Sequence, residues 1–407
     1  MKLRFILLSL LGIAISQPIS ATDYTNIKKI NDISSTKDGA HTNVRKISRG
    51  DRVIINYDAS TYEDVIDQRI FVGSGVINAP KGKATLEVYN NTGHAVTIKA
   101  NISCNNNANG QNTLFYVWEG ATLIIHGTAD SPIIIDGNGS SIPTRFGLIE
   151  TTGTIDMEYV TIQNVTFENY GYTYGGKEYN NPKDGDCSVF KISPWTSLVA
   201  DGNGDQVNFN IGTTTLKHCH ITNVNNMYGG YASVLTTYGD PTRDKTLDNS
   251  TKNNKITFEN VEIDHVQQNG HIKKYRYYNK NLIIDKDENS AGILRFRGAW
   301  LGDFEMVNCK IHDNTSTYAC AGLLWNAIGD GHQNMPTLTI RGCKFYNNHS
   351  DNDCGALQLE GRFRFDYGPN GEYNEIYNNT ARRGAGIRIW GYSGGDPVTA
   401  QEIKQHI

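Results

Sequence analysis

Two small residues followed by an aliphatic one recur four times in the second half of the chain. The copies are Ala291-Gly292-Ile293, Ala321-Gly322-Leu323, Gly355-Ala356-Leu357 and Ala385-Gly386-Ile387, spaced by 30, 34 and 30 residues. A second mark precedes them, an apolar residue with Asn or Asp two and three places on: Ile311 with Asp313 and Asn314, Phe345 with Asn347 and Asn348, Ile376 with Asn378 and Asn379. Weaker copies lie upstream at Phe167 with Asn169, Ile221 with Asn223 and Ile263 with His265; their wider spacing reads as loop insertions on the same repeat. Self-similarity on this scale is the signature of a repeat architecture. Between the marks the chain alternates in short β-prone runs such as Leu338-Thr339-Ile340, Leu123-Ile124-Ile125 and Ile133-Ile134-Ile135, bounded by Gly, Asn or Asp. Three short strands per repeat, with no helix between them, predict an all-β chain: a right-handed parallel β-helix of roughly ten coils, each stacked about 4.8 Å from the next. Inward aliphatics would fill the core, Asn side chains could bond along a vertical ladder, and the small pair would allow a sharp corner. A chain of antiparallel hairpins is the rival. Asp136-Gly137 and Asp201-Gly202 would suit its turns, but the repeat is short for a four-stranded propeller blade.

Composition agrees with a thin core refilled coil after coil. The chain has 43 Asn and 41 Gly against 10 Pro, with 38% hydrophobic residues. Its 38 basic and 42 acidic residues give no cationic surplus for nucleic acid. Residues 1–21 read as a secretory signal, with Lys2 and Arg4 before the apolar stretch Phe5 to Ile15 and cleavage after Ala21. No later window is apolar over 18 residues, so no transmembrane segment is expected in the mature chain. The expectation is an exported, monomeric protein, extracellular or on the outer cell surface. Residues 22–70 lack the repeat and read as an N-terminal cap and lead-in, with 71–407 forming the β-helix. Within the cap, Ser60 and Glu63 suggest a capping box for a helix from Thr61 to Arg69. Gly171–Asp186 and Gly270–Asn281 read as long protruding loops, where binding often lives.

The paired marks resemble the GGA[ILV] and FxxN repeats of polymorphic outer-membrane proteins, a class of bacterial surface adhesins. Phe345-Tyr346-Asn347-Asn348 matches FxxN, and Cys354-Gly355-Ala356-Leu357 is one substitution from GGAL. The resemblance runs over about residues 160–395 and implies a role in adhesion. That family also carries a C-terminal membrane barrel, which would have to follow Ile407, so the expectation is either a longer protein or a freely secreted relative. The repeat register sets Cys309 one coil from Cys343 and Cys320 one coil from Cys354, within reach of a disulfide in each pair or of a reduced stack that fills the core.

Catalysis is weighed against binding. Val261-Glu262-Ile263-Asp264-His265 looks like the Ile-Asp-His segment of pectate lyases, but it also fills the ordinary repeat slot of His220-Ile221-Thr222-Asn223. Under a lyase reading Asp264, His265, Lys273, Arg295 and Arg297 would converge as acid, base and cation, and Ca²⁺ would be the only cofactor. Otherwise no metal or cofactor is expected. No nucleophile elbow and no adjacent Asp-Asp pair appear. The binding candidates follow the small-small step: Arg295, Arg297, Trp325, Glu360, Arg388 and Trp390, of which those at alternate positions would face outward on one sheet. The favoured expectation is a non-enzymatic adhesin whose partner is a polysaccharide or host-surface glycan. A polysaccharide lyase or hydrolase is the runner-up.

Overall fold

The structure, a computed structural model, describes residues 22–389 except 39–40, 49, 74–82, 102–112, 119, 139–140, 144–146, 169–171, 175–176, 180–187, 193–211, 227–231, 238–254, 269–270, 279–280, 288–291, 299–301, 318–319 and 328–335. The signal-like residues 1–21 lie outside this set. Three long sheets run the length of the molecule, with 10, 13 and 11 strands (sheets 1, 2 and 3). The chain visits them in turn. Phe304–Val307 lies in sheet 1, Lys310–His312 and Thr315–Ser316 in sheet 2, and Cys320–Ala327 in sheet 3. The next coil repeats the path one strand along, through Thr337–Arg341, Lys344–Tyr346 and Leu357–Glu360, each pairing in parallel with its predecessor. This is a parallel β-helix of about ten coils, as the repeat predicts. No helix of the described residues is long and apolar enough to cross a membrane.

Register explains the core. Because strands pair in phase, like side chains fall above like. In sheet 2, Ile98, Ile135, Ile162, Ile221, Ile263, Ile311, Phe345 and Ile376 form one inward column. In sheet 1 the column is Val53, Leu86, Leu123, Ile155, Thr214, Ile256, Phe304 and Leu338. These columns belong to one continuous apolar core. Alternation does the sorting: Phe304–Val307 reads buried, half-buried, buried, half-buried.

The Asn marks perform two tasks. The first Asn or Asp of each pair takes the left-handed backbone: Asp313 (φ 52°), Asn347 (φ 55°) and Asn378 (φ 54°) bend the strand in sheet 2. Asn and Asp tolerate this region better than other residues with a Cβ. The second Asn points inward. Asn314 donates to Asn348 Oδ1 at 3.0 Å, and Asn348 donates to Asn379 Oδ1 at 2.9 Å. Each also caps a carbonyl of the preceding coil: Asn314 bonds Ile263 O, Asn348 bonds Ile311 O and Asn379 bonds Phe345 O. The same Oδ1 atoms accept backbone N–H groups of the coil before, from Val266, Asn314 and Asn348. The small-small step has an equally direct cause. A Cβ on Gly322 would lie 2.1 Å from Ala356 O, and one on Gly355 2.3 Å from Ala385 O.

The N-terminal region departs from expectation. The helix expected over Thr61 to Arg69 is absent: Glu63–Ile66 is a strand of sheet 2, paired in parallel with Val96–Ala100. The expected N-cap Ser60 instead donates its N–H and hydroxyl to Asp58, closing a turn. Burial alternates along the strand, with Asp64 and Ile66 inward, so a period of two prevails over the local helix signal. Asp51–Tyr57 and Ile70–Val72 likewise join sheets 1 and 3, so coiling begins well before residue 71. Ile30 and Ile33 are buried beneath the first coil, and Asp64, in the column that Ile98 continues, accepts from Ile30 N at 2.7 Å and Tyr57 OH at 2.9 Å. Burial raises the Asp64 carboxyl above its usual range despite these bonds. The first expected loop contains an antiparallel hairpin, Tyr172–Tyr174 with Lys177–Tyr179, and the second, expected over Gly270–Asn281, is part of a longer one that pairs His271–Tyr278 with Asn281–Asp287. Both leave the coil between a sheet 2 strand and a sheet 3 strand.

Two substitutions test this framework. Gly322→Ala forces the backbone of the next coil aside and is expected to cost about 1–3 kcal/mol or more, seen as a lowered melting temperature. Asn348→Ala strands buried partners on both neighbouring coils. At about 1–3 kcal/mol for each buried polar group left unpaired, it should lower the denaturation midpoint further than Asn347→Ala, which removes no rung.

Candidate functional site

The outer face of sheet 2 carries a run of ionisable side chains. The slot around each apolar mark places the residue before it and the residue after it outward. Two outward columns result. One runs His220, Glu262, Lys310, Lys344 and Glu375, and the other Thr222, Asp264, His312, Tyr346 and Tyr377. The coils give these columns their order, and the left-handed residue that follows sets a third column of Asn223, His265, Asp313, Asn347 and Asn378.

The centre of the face is a carboxylate and imidazole network. Asp264 is only 8% exposed, and its Oδ1 lies 3.1 Å from His220 Nε2 and 3.2 Å from His265 Nδ1. Burial pushes the Asp264 carboxyl upward, but hydrogen bonds from Thr222, His265 and His220 outweigh it and hold the group below its ordinary value. His312, 7% exposed, sits between two acids: Nδ1 is 2.7 Å from Asp313 Oδ2 and Nε2 is 2.8 Å from Glu262 Oε1. Lys310 Nζ reaches the same Glu262 oxygen at 3.8 Å. Ligand atoms of Glu262, Asp264 and His312 all fall within 4.8 Å of one another.

Aromatic rings continue the face on one side. His312 stacks on Tyr346 with centroids 4.5 Å apart and planes at 8°, and Tyr346 stacks on Tyr377 at 5.1 Å and 2°. Tyr377, farthest along the stack, is 41% exposed. Burial, and then the neighbouring Tyr377, raises the Tyr346 phenol above its usual value. On the other side lies a polar cleft of about 380 Å³ lined by Glu63, Lys99, Asp136, Asn164, Asn223 and Asn225, among others. There Asp136 Oδ2 accepts from Gln163 at 2.9 Å and Asn164 at 2.8 Å, and Asn223 donates to Asn164 at 2.5 Å. Cleft, network and ring stack share one sheet face.

The structure redistributes the residues expected from sequence. Asp264 and His265 belong to this face. Arg295 belongs to sheet 3, where it is 4% exposed and donates to Thr236 Oγ1 at 3.2 Å, so it stands on a different face from Asp264. The side chains of Lys273, Arg297 and Trp390 lie outside the described residues. Trp325 is fully buried and packs on Phe296 at 5.1 Å, so it faces the core and offers no outward platform. Its register explains this: Trp325 aligns with Phe296 and Leu359, the inward column of sheet 3. Glu360 is half-buried and accepts from Asn326, and Arg388 is half-buried opposite Gln358. Glu262, His312, Tyr346 and Tyr377, none of them a site residue expected from the sequence, join this face. Their signal was positional: each directly precedes or follows an apolar mark, so consecutive copies stack outward.

Both expected cysteine stacks are present, as thiols. Cys320 and Cys354 sulfurs are 3.0 Å apart, and Cys309 N–H donates to Cys343 Sγ at 3.3 Å. Cys219 occupies the same corner position as Cys309 and Cys343, directly after a left-handed residue or glycine. Cys104 and Cys187 lie outside the described residues.

Compared with known proteins, the chain matches no family model, no curated protein and no solved structure. Its class rests on its own fold: a parallel β-helix with a polar cleft, an acid and imidazole network and a ring stack along one sheet.

The thiols give a direct check on this packing. Burial pushes the Cys219 thiol up to about 12, and no described cysteine is exposed. A thiol reagent at neutral pH is expected to leave all five unmodified in the native protein and to label them on unfolding.

Proposed function

We propose that the protein is an exported, adhesin-type glycan-binding β-helix that holds an extended saccharide along the outer face of sheet 2. The observation that carries the reading is the continuity of that face, from cleft through acid and imidazole network to the His312, Tyr346 and Tyr377 rings. Carboxylate and amide oxygens, amide N–H groups and phenol hydroxyls are the partners that sugar hydroxyls require. An exposed tyrosine face accepts the apolar side of a pyranose ring. Side chains held by stacking lose little freedom on binding, which favours affinity. The secretory character of residues 1–21 and the likeness to adhesin repeats support export and surface action. A monomer suffices, because the whole face belongs to one chain.

The runner-up is a polysaccharide lyase or hydrolase of the β-helix type. It draws on the carboxylates of Glu262 and Asp264 beside His312, but the cation partner it needs from Arg295 stands on sheet 3. Incubation with pectin, alginate and chondroitin, followed by absorbance of unsaturated products, separates the two, since product formation would replace the binding reading.

Glycan-array screening followed by titration with the best glycan tests the proposal. Tyr377→Ala and Tyr346→Ala are each expected to weaken binding roughly tenfold, about 1.4 kcal/mol. Absence of binding by the unmodified protein, or full binding by both variants, would overturn it.

A further inference from the structure

We propose that Glu262, Asp264 and His312 form a site for a divalent transition metal of the Zn²⁺ class, a role not expected from the sequence. The inference rests on the geometry of these side chains and not on saccharide binding.

Register builds the donor set. Glu262 and Asp264 are two apart on one strand, so both point outward, and His312 sits opposite Asp264 on the next coil. Their ligand atoms already lie within 4.8 Å of one another. A tetrahedral ion with bonds of about 2.1 Å needs donors about 3.4 Å apart. Asp264 and His312 are nearly buried and fixed, whereas the Glu262 side chain, 37% exposed, is free to adjust its oxygens to that spacing.

The imidazole is the informative member. Its Nδ1 faces Asp313 Oδ2 at 2.7 Å and its Nε2 faces Glu262 Oε1 at 2.8 Å. A metal-bound imidazole usually donates its other ring N–H to a carboxylate, and Asp313 at Nδ1 with Glu262 at Nε2 gives His312 the neighbours that arrangement needs. The ring plane is further held by the Tyr346 stack. Asp264 has its own support in His220, 3.1 Å away.

Two carboxylates balance the charge of a divalent ion, and the imidazole sets its class. Nitrogen with oxygen donors suits Zn²⁺ and its neighbours, whereas Ca²⁺ and Mg²⁺ prefer all-oxygen shells with more ligands. Lys310 is the competing cation on Glu262. At 3.8 Å and half exposed, it is a weak surface partner that a bound ion displaces. With three protein ligands, the ion keeps an open position for water or for a ligand oxygen.

Calorimetric titration of the chelator-stripped full chain with ZnCl₂, and separately with CaCl₂, tests the site, with bound metal counted by elemental mass spectrometry. One equivalent of Zn²⁺ is expected, bound more tightly than Ca²⁺. Glu262→Gln and His312→Ala should each weaken Zn²⁺ at least tenfold. Asp313→Asn, which touches no metal, should weaken it roughly 10–100-fold by releasing the ring. Glu262→Gln alters a half-exposed side chain and keeps the test valid if His312→Ala fails to fold. Lack of Zn²⁺ binding by the unmodified chain, Zn²⁺ affinity unchanged in Glu262→Gln, or preference for Ca²⁺ would overturn the proposal. Glycan binding is measured on the stripped protein, so failure of the metal site and failure of the saccharide reading are told apart.

Discussion

In-register stacking of one coil on the next governs everything else in this molecule. Parallel strands about 4.8 Å apart give each side chain its counterpart as nearest neighbour. Apolar residues in such a column extend the core at every turn, which is why isoleucine above isoleucine runs through sheet 2. Polar residues in a column must satisfy one another or meet solvent. Asn314, Asn348 and Asn379 do the former, each bonding along the ladder and back to a strand carbonyl. Where the next coil's backbone comes closest, only a residue without a Cβ fits, as at Gly322 and Gly355.

Much of this was legible before any coordinates, because a repeat reports its own geometry. The spacing of Ala321-Gly322-Leu323 and Gly355-Ala356-Leu357 implied one coil per repeat, and Asn314 with Asn348 implied a ladder. Local signals mislead where register overrides them. Ser60 and Glu63 look like a helix start, yet pairing with Val96–Ala100 outweighs a capping preference. Distance from the small-small step names Trp325 as a binding candidate without saying which way it faces, and pairing with Phe296 turns it inward. The candidate site was only partly visible. Asp264 and His265 stand out as a local motif, but Glu262 and Tyr346 are only variable positions within the repeat marks, His312 and Tyr377 likewise, and the four become a group only when strands from several coils are laid side by side.

The face of sheet 2 shows how a regular scaffold concentrates chemistry. One strand contributes two outward side chains from its short slot, too few for a site. Adjacent coils multiply them at fixed spacing, so Asp264 meets His220 from the coil before while Glu262 meets His312 from the coil after. Precision here comes from the backbone ladder, which fixes donors to within a strand spacing without a dedicated pocket. Partial burial of Asp264 and His312 adds rigidity, and the stacked rings hold the imidazole plane. Such a surface suits an extended ligand better than a small enclosed one.

The amide of Asn223 touches Asn164 although 59 residues separate them, whereas Asn348 and Asn379 are 31 apart and make the equivalent kind of neighbour contact. Length between coils is therefore free to vary as long as it leaves at a corner and returns in phase. The unit of tolerated change is the whole coil or the corner loop. Removing a complete turn would bring matching columns together again, while losing a single residue inside a strand would exchange core for surface along that strand and break every ladder that crosses it.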